Sequence, residues 1–186
     1  MKSIEELEHG WLQAPPASKT QGQVHTLCVR KGDGVHETPK KVEVTRNEGI
    51  RGDRWLHEDD PEHHRQLTLM NTTVARLIAH AATQPYEAGD NFFVDLDLSE
   101  EALPTGSRLR LGTALVEITA KPHLGCRTFH ERFGPGALKW VNLEPKRHLR
   151  LRGVHARVLQ DGTVAVGDTV EVVSVPNVES ATSERE

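Results

Sequence analysis

The stretch Ser107-Arg-Leu-Arg-Leu-Gly-Thr-Ala-Leu-Val-Glu-Ile-Thr-Ala120 decides the fold class. Two short runs of β-forming residues flank Gly112 and Thr113, a spacing that predicts two antiparallel strands joined by a tight turn. The same texture extends in both directions: QVHTLCVR, KKVEVTR, RQLTLM and FFVDLDL lie upstream, and GVHARVLQ, TVAVG and TVEVVSV lie downstream. So many short runs broken by Gly, Asp and Asn predict a mainly β chain, a barrel or a sandwich. A second hairpin is expected at Asp161-Gly162, the stronger turn signal of the two.

Helical periodicity is confined to a few places that are expected to cover the barrel. Val74, Leu77, Ile78 and Ala81 share one face behind an Asn71 cap, and GALKWVNLE over 136–144 has similar texture. At the start, Ile4, Leu7 and Trp11 also stand at helical spacing, but the breaker-rich APPASKTQG follows them. Residues 1–22 are therefore read as a loosely attached leader, 23–175 as the domain, and 176–186 as a disordered tail.

Composition narrows the functional classes. In 186 residues, 36% are hydrophobic and 27% charged, which suits a single domain with a modest core and a solvated surface. A net charge of −4 supplies no global field for nucleic acid or an acidic membrane, so any anion site must be local. The acidic start MKSIEELEHGW is unlike a secretory signal, and no apolar run approaches a membrane span. A cytoplasmic location with free thiols is expected. No GxGxxG, GxxxxGK[ST], GxSxG or HExxH sequence occurs, so nucleotide kinase and serine hydrolase chemistry lack support.

Only two cysteines are present. Cys28, within QVHTLCVR, has the setting of a core strand residue. Cys126 lies in Ala120-Lys-Pro-His-Leu-Gly-Cys-Arg-Thr-Phe-His130, where Lys121, His123, Arg127 and His130 form an electropositive neighbourhood. Cations favour thiolate over thiol, making the sulfur a nucleophile, a persulfide carrier or a soft-metal ligand. The bland alternative is a small apolar loop filler. Two other features invite function. His57-Glu-Asp-Asp-Pro-Glu-His-His64 is a possible divalent-metal segment through His57, His63 and His64, although such runs are usually solvated loops. Arg51, Arg54, Arg65, Arg127 and Arg152 suit oxyanions, although each alone reads as a surface charge.

Several blocks together resemble the MOSC family, named for the C-terminal domain of molybdenum cofactor sulfurases. They are Gly49-Ile-Arg-Gly-Asp-Arg54, His64-Arg-Gln-Leu-Thr-Leu-Met70, Ala88-Gly-Asp-Asn-Phe92, Leu103 to Gly112, the Cys126 loop, and Leu151-Arg-Gly-Val-His-Ala-Arg-Val158 through Val166-Gly-Asp168. In order they span residues 22–174. The resemblance implies a closed or partly closed β-barrel of MOSC type in which Cys126 ligates molybdenum of a pterin cofactor or carries sulfur as a persulfide. It implies cofactor-binding roles for Arg54, Arg65, Asn91 and Arg152, with Lys121 and Arg127 beside the cysteine. One departure is Asp90, which stands where the family's Phe-Gly-Glu-Asn-Leu has glutamate, and it puts that wall of the pocket in doubt. Others are the leader and the HEDDPEHH insertion, either of which would reshape the pocket.

Three functions compete at this stage. The first is a molybdenum-dependent oxidoreductase acting on N-hydroxylated or other N-oxygenated small molecules. No ferredoxin-like or flavin-binding region accompanies the barrel runs, so its electrons are expected from a separate donor protein. The second is a persulfide carrier supplied by a sulfur donor, and the third is a divalent-metal binder.

Overall fold

The computed structural model describes residues 1–176. In chain order the elements are α1 (Ile4–Gln13), β1 (Gln21–Leu27), β2 (Val29–Gly32), β3 (Val35–Glu37), β4 (Lys41–Thr45), β5 (Gly49–Ile50), β6 (Leu67–Asn71) and α2 (Thr72–Ile78). They continue with β7 (Phe92–Val94), β8 (Arg108–Leu111), β9 (Ala114–Ile118), α3 (Arg127–Val141), β10 (Val154–Gln160), β11 (Gly162–Ala165) and β12 (Thr169–Ser174). Seven strands close into a barrel in the order β1-β12-β8-β9-β10-β6-β7, with β7 pairing back onto β1. All barrel pairings are antiparallel except β6 with β7. The fold is therefore a mainly β barrel with short helices, one of the two architectures the strand runs allow and the one the resemblance implies.

The pleat explains why the decisive stretch reads as it does. Along β8, Leu109 and Leu111 are buried while Arg108 and Arg110 face out. Across the Gly112-Thr113 turn, Leu109 pairs with Val116 and Leu111 with Ala114, so apolar residues meet on the inner face. A second apolar cluster lies outside the barrel, where Ile78 of α2 and Phe129, Phe133 and Trp140 of α3 pack together. Helix α2 starts as expected, with Asn71 Oδ1 accepting from the amides of Thr73 and Val74.

Three expectations are corrected. Residues 1–22 are not a loose leader. Ser3 and Glu6 form a reciprocal capping box that starts α1, and Leu7 is fully buried in the helical cluster. Trp140 Nε1 donates to Glu8 at 3.0 Å, Lys146 pairs with the same carboxylate, and Trp11 meets Trp140 edge-on at 6.4 Å. The breakers that follow form a crossing into β1, tied down where Ser18 bridges Leu96.

The Asp161-Gly162 pair makes no hairpin, since β11 leaves β10 and pairs with β4 in a separate three-stranded sheet. Gly162 is needed instead for close approach, because a Cβ there would lie 2.4 Å from the Ala114 amide nitrogen. Helix α3 also begins well before the predicted 136–144 segment. Gly134 (φ 84) followed by Pro135 kinks it, and that pair masks the first half in the sequence. Apart from Pro176, the expected disordered tail lies outside the described residues. No helix among the described residues is long and apolar enough to cross a membrane.

Candidate active site: a cysteine at the edge of an arginine-lined cavity

A cavity of about 710 Å³ lies beside the barrel, bounded by the β2–β3 hairpin, the turn at Arg54–His57, the loop after β9 and the start of α3. Cys126 lines it as the N-cap of α3, with extended backbone and its carbonyl accepting from His130 N at 3.0 Å. The thiol makes no capping hydrogen bond and is exposed. The loop before it is held by Gly125 N, which donates to Asn142 Oδ1 at 3.2 Å. A Cβ on Gly125 would approach Leu138 Cδ1 to 2.5 Å. By contrast, Cys28 is fully buried, and burial pushes its thiol up to about 12, so it is inert packing.

Five arginines line the same cavity: Arg30, Arg54, Arg65, Arg132 and Arg152. Arg30 is buried against Asp53, with Nη2 2.7 Å from Oδ1, and Asp53 also caps the Arg54–His57 turn by accepting from Trp55 N. Burial opposes charge on Asp53, yet Arg30 and the two backbone donors hold its carboxyl below the usual range. Arg54 and Arg65 reach Glu58 only at 3.8 Å each. Arg132 donates to the carbonyls of Gly34 and Glu87 and has no carboxylate partner among the described residues. Its charge is thus spent on dipoles alone, which leaves it available to an anion.

Asp90, the residue in doubt from sequence, is completely buried behind the cavity wall. Arg152 Nη1 donates to its Oδ2 at 2.5 Å and His123 Nε2 lies 2.7 Å from its Oδ1. Burial alone would raise the Asp90 pKa, but Arg152 and His123 pull it down to about 2. Arg152 stacks 4.9 Å over the Phe129 ring and gives Nη2 to the Ala88 carbonyl. The shorter acid therefore completes the wall instead of opening it.

The structure gathers some of the expected residues and disperses others. Cys126, Arg54, Arg65 and Arg152 share the cavity. Asn91 does not line it. It is fully buried, donating to the Cys28 carbonyl and Asp53 Oδ2 and accepting from Thr68 N, so it locks the hairpin that carries Arg30.

Arg127 points to solvent, 91% exposed and paired with Glu131, and Lys121 lines a smaller cavity behind the Cys126 loop. The electropositive setting thus comes not from chain neighbours of the cysteine but from Arg54, Arg65 and Arg132 on other elements. Their segments around Arg30, His36 and Arg132 carry no motif, so sequence reading had no signal for those three.

The acidic histidine segment folds as a turn. Asp60 accepts from Trp55 Nε1 and from the amides of His64 and Arg65, and His63 packs edge-on against Trp55 at 5.0 Å. Among the described residues, no three His, Cys, Asp or Glu side chains form a metal-binding group. The divalent-metal reading of His57, His63 and His64 thus loses its site.

The fold and site together define a closed barrel that carries an exposed cysteine at the edge of an arginine-lined cavity. The chain belongs to the MOSC domain family, whose profile matches residues 53–171. A search of curated proteins gave no match. Among solved structures, the chain is similar to YuaD from Bacillus subtilis at 20% identity and a TM-score of 0.58, over 82% of this chain and 95% of that one. It is also similar to YiiM from Escherichia coli at 19% identity and a TM-score of 0.55, over 84% and 71% respectively. YiiM from Geobacillus stearothermophilus aligns at 18% identity and a TM-score of 0.52, over 82% and 75%. At these identities the likeness is one of fold.

Proposed function

We propose that the cavity binds a molybdenum-pterin cofactor and that the protein reduces N-hydroxylated or N-oxygenated small molecules. The observation that carries the reading is the exposed Cys126 thiol sharing one cavity with five arginines. The donor set fits such a group: a soft sulfur ligand suits molybdenum, and arginine forks suit a phosphate. Two buried polar atoms of residues that line the cavity, Arg152 Nε and His36 Nδ1, have no partner among the described residues.

When bound, the cofactor supplies a two-electron centre for cleaving an N–O bond. The chain's own work is to place it. Cys126 would offer its sulfur, Arg54, Arg65 and Arg132 would hold the anionic end, and Asp90 keeps Arg152 and His123 fixed. Converting an N-hydroxy group to an amine consumes two electrons and two protons and releases water. We assign the electrons to a separate donor protein and the activity to a reducing, cytoplasmic compartment, consistent with two free cysteines.

The test is native mass spectrometry with elemental analysis on protein made in a host competent for the cofactor. Wild type is expected to carry molybdenum and a pterin mass, both lost in Cys126→Ala. A single added sulfur on Cys126 without pterin would instead establish a persulfide carrier.

A further inference from the structure

Two histidines of the cavity have tautomers fixed by the protein, and the fixed tautomers dictate what they bind. The Asp90 carboxylate is ionised and can only accept, so the His123 Nε2 atom 2.7 Å away carries a hydrogen. Burial, and then the Arg152 charge, push the His123 pKa down to about 3, so the ring takes no second proton near neutrality. Its Nδ1 is left as a lone pair. His155 is arranged the other way round, with Nδ1 3.0 Å from the Lys121 carbonyl, which also only accepts. Burial lowers the pKa of this ring too, and its lone pair is on Nε2.

Both rings stand between the Cys126 cavity and the smaller one that carries Lys121, lining each, and are tilted with centroids 4.4 Å apart. Neither free nitrogen has a partner among the described residues, and neither is sealed from the cavity in the way His36 Nδ1 is. Apart from His36, whose Nδ1 is buried, the remaining side-chain nitrogen groups on the cavity wall are arginine donors.

We infer that His123 and His155 form a two-acceptor wall of this cavity, selecting a ligand group that bears N–H or O–H donors over one that only accepts. A group with acceptors alone would leave both lone pairs facing other lone pairs. The matching chemistry is an amino-heterocycle or an N-hydroxy group, and it has two sources: the aminopyrimidine end of a pterin, or a substrate. The inference rests on the Cys126 cavity being the binding site proposed above. Asp90 acts here as a positioning residue, setting the His123 tautomer without touching the ligand.

The test uses full-length protein with ¹⁵N-labelled histidine and long-range proton–nitrogen spectra, with isocytosine and hydroxyurea as donor-bearing probes and trimethylamine N-oxide as the acceptor-only probe. His123 is expected to show hydrogen on Nε2 and His155 on Nδ1. Isocytosine alone moving the two free nitrogens assigns the wall to the pterin end, and hydroxyurea moving them assigns it to substrate. His123→Gln keeps a donor for Asp90 but removes the Nδ1 acceptor, and should weaken binding of the responding probe about tenfold. Reversed tautomers, no response to either donor probe, or an equal response to the N-oxide overturns the inference. Cys126→Ala runs in parallel: loss of molybdenum binding with an intact histidine response separates the cofactor reading from this one.

Discussion

Lowering the pH tests the buried His123–Asp90–Arg152 wall directly. In the unfolded chain His123 takes up its proton near the ordinary 6.5, whereas in the folded protein it does so only near 3. Between those values the unfolded state holds more protons, so stability falls as pH falls. At pH 5 the loss from this residue alone is about 2 kcal/mol relative to pH 7.5. The Asp90 contribution is retained over that range, since its carboxyl protonates only below the usual carboxylate value. His155 and His36, also lowered chiefly by burial, add to the acid sensitivity of any variant that keeps them.

The informative quantity is therefore a difference. Urea unfolding of wild type and His123→Gln, each at pH 7.5 and pH 5, should show wild type losing about 2 kcal/mol more. With a slope on the order of 2 kcal/mol per molar urea, that is about 1 M in the midpoint. Parallel losses in the two proteins would refute the claim that His123 is held neutral by the fold.

Two other outcomes are expected. Leu7→Ala should lower unfolding stability by about 2–4 kcal/mol, because Leu7 is fully buried where α1 meets the helical cluster. A loosely attached segment would show almost no change in the same urea titration. An aromatic disulfide reagent should titrate one thiol in native protein and two after denaturation, and native Cys126→Ala should titrate none, since Cys126 is exposed and Cys28 is buried.

The sequence made the barrel legible because its strands obey local rules. Alternation in β8 and the Gly112-Thr113 turn report a hairpin whose partners are adjacent in the chain. The Asp161-Gly162 signal failed for a related reason. Turn propensity is local, but the partner of β11 is β4, more than a hundred residues away, and no short-range pattern encodes that choice. The expectation of a loose leader rested on the Pro and Gly after α1, which mark only its exit, whereas Ser3 and Glu6 start the helix with a reciprocal cap.

At the site, Cys126 and three arginines stood out through chemistry and resemblance. Arg30, His36 and Arg132 are ordinary residues in unremarkable segments until a hairpin and a kinked helix bring them to one cavity. Asn91 shows the opposite case, a residue of a recognisable block whose work is to hold the backbone of others.

Barrel closure bears on how this chain avoids sticking to itself. Because β7 pairs back onto β1, the barrel strands present no open ladder for a foreign strand to extend. Among the described residues, unpaired edges remain only on the two small sheets. There β5 offers two residues, β3 three, and β2 and β11 four each. Templates that short present few hydrogen bonds to a newcomer, so edge-to-edge growth has little to start from. A protein that must keep a thiol and a wide polar cavity open to solvent thus does so without also leaving a long strand edge exposed.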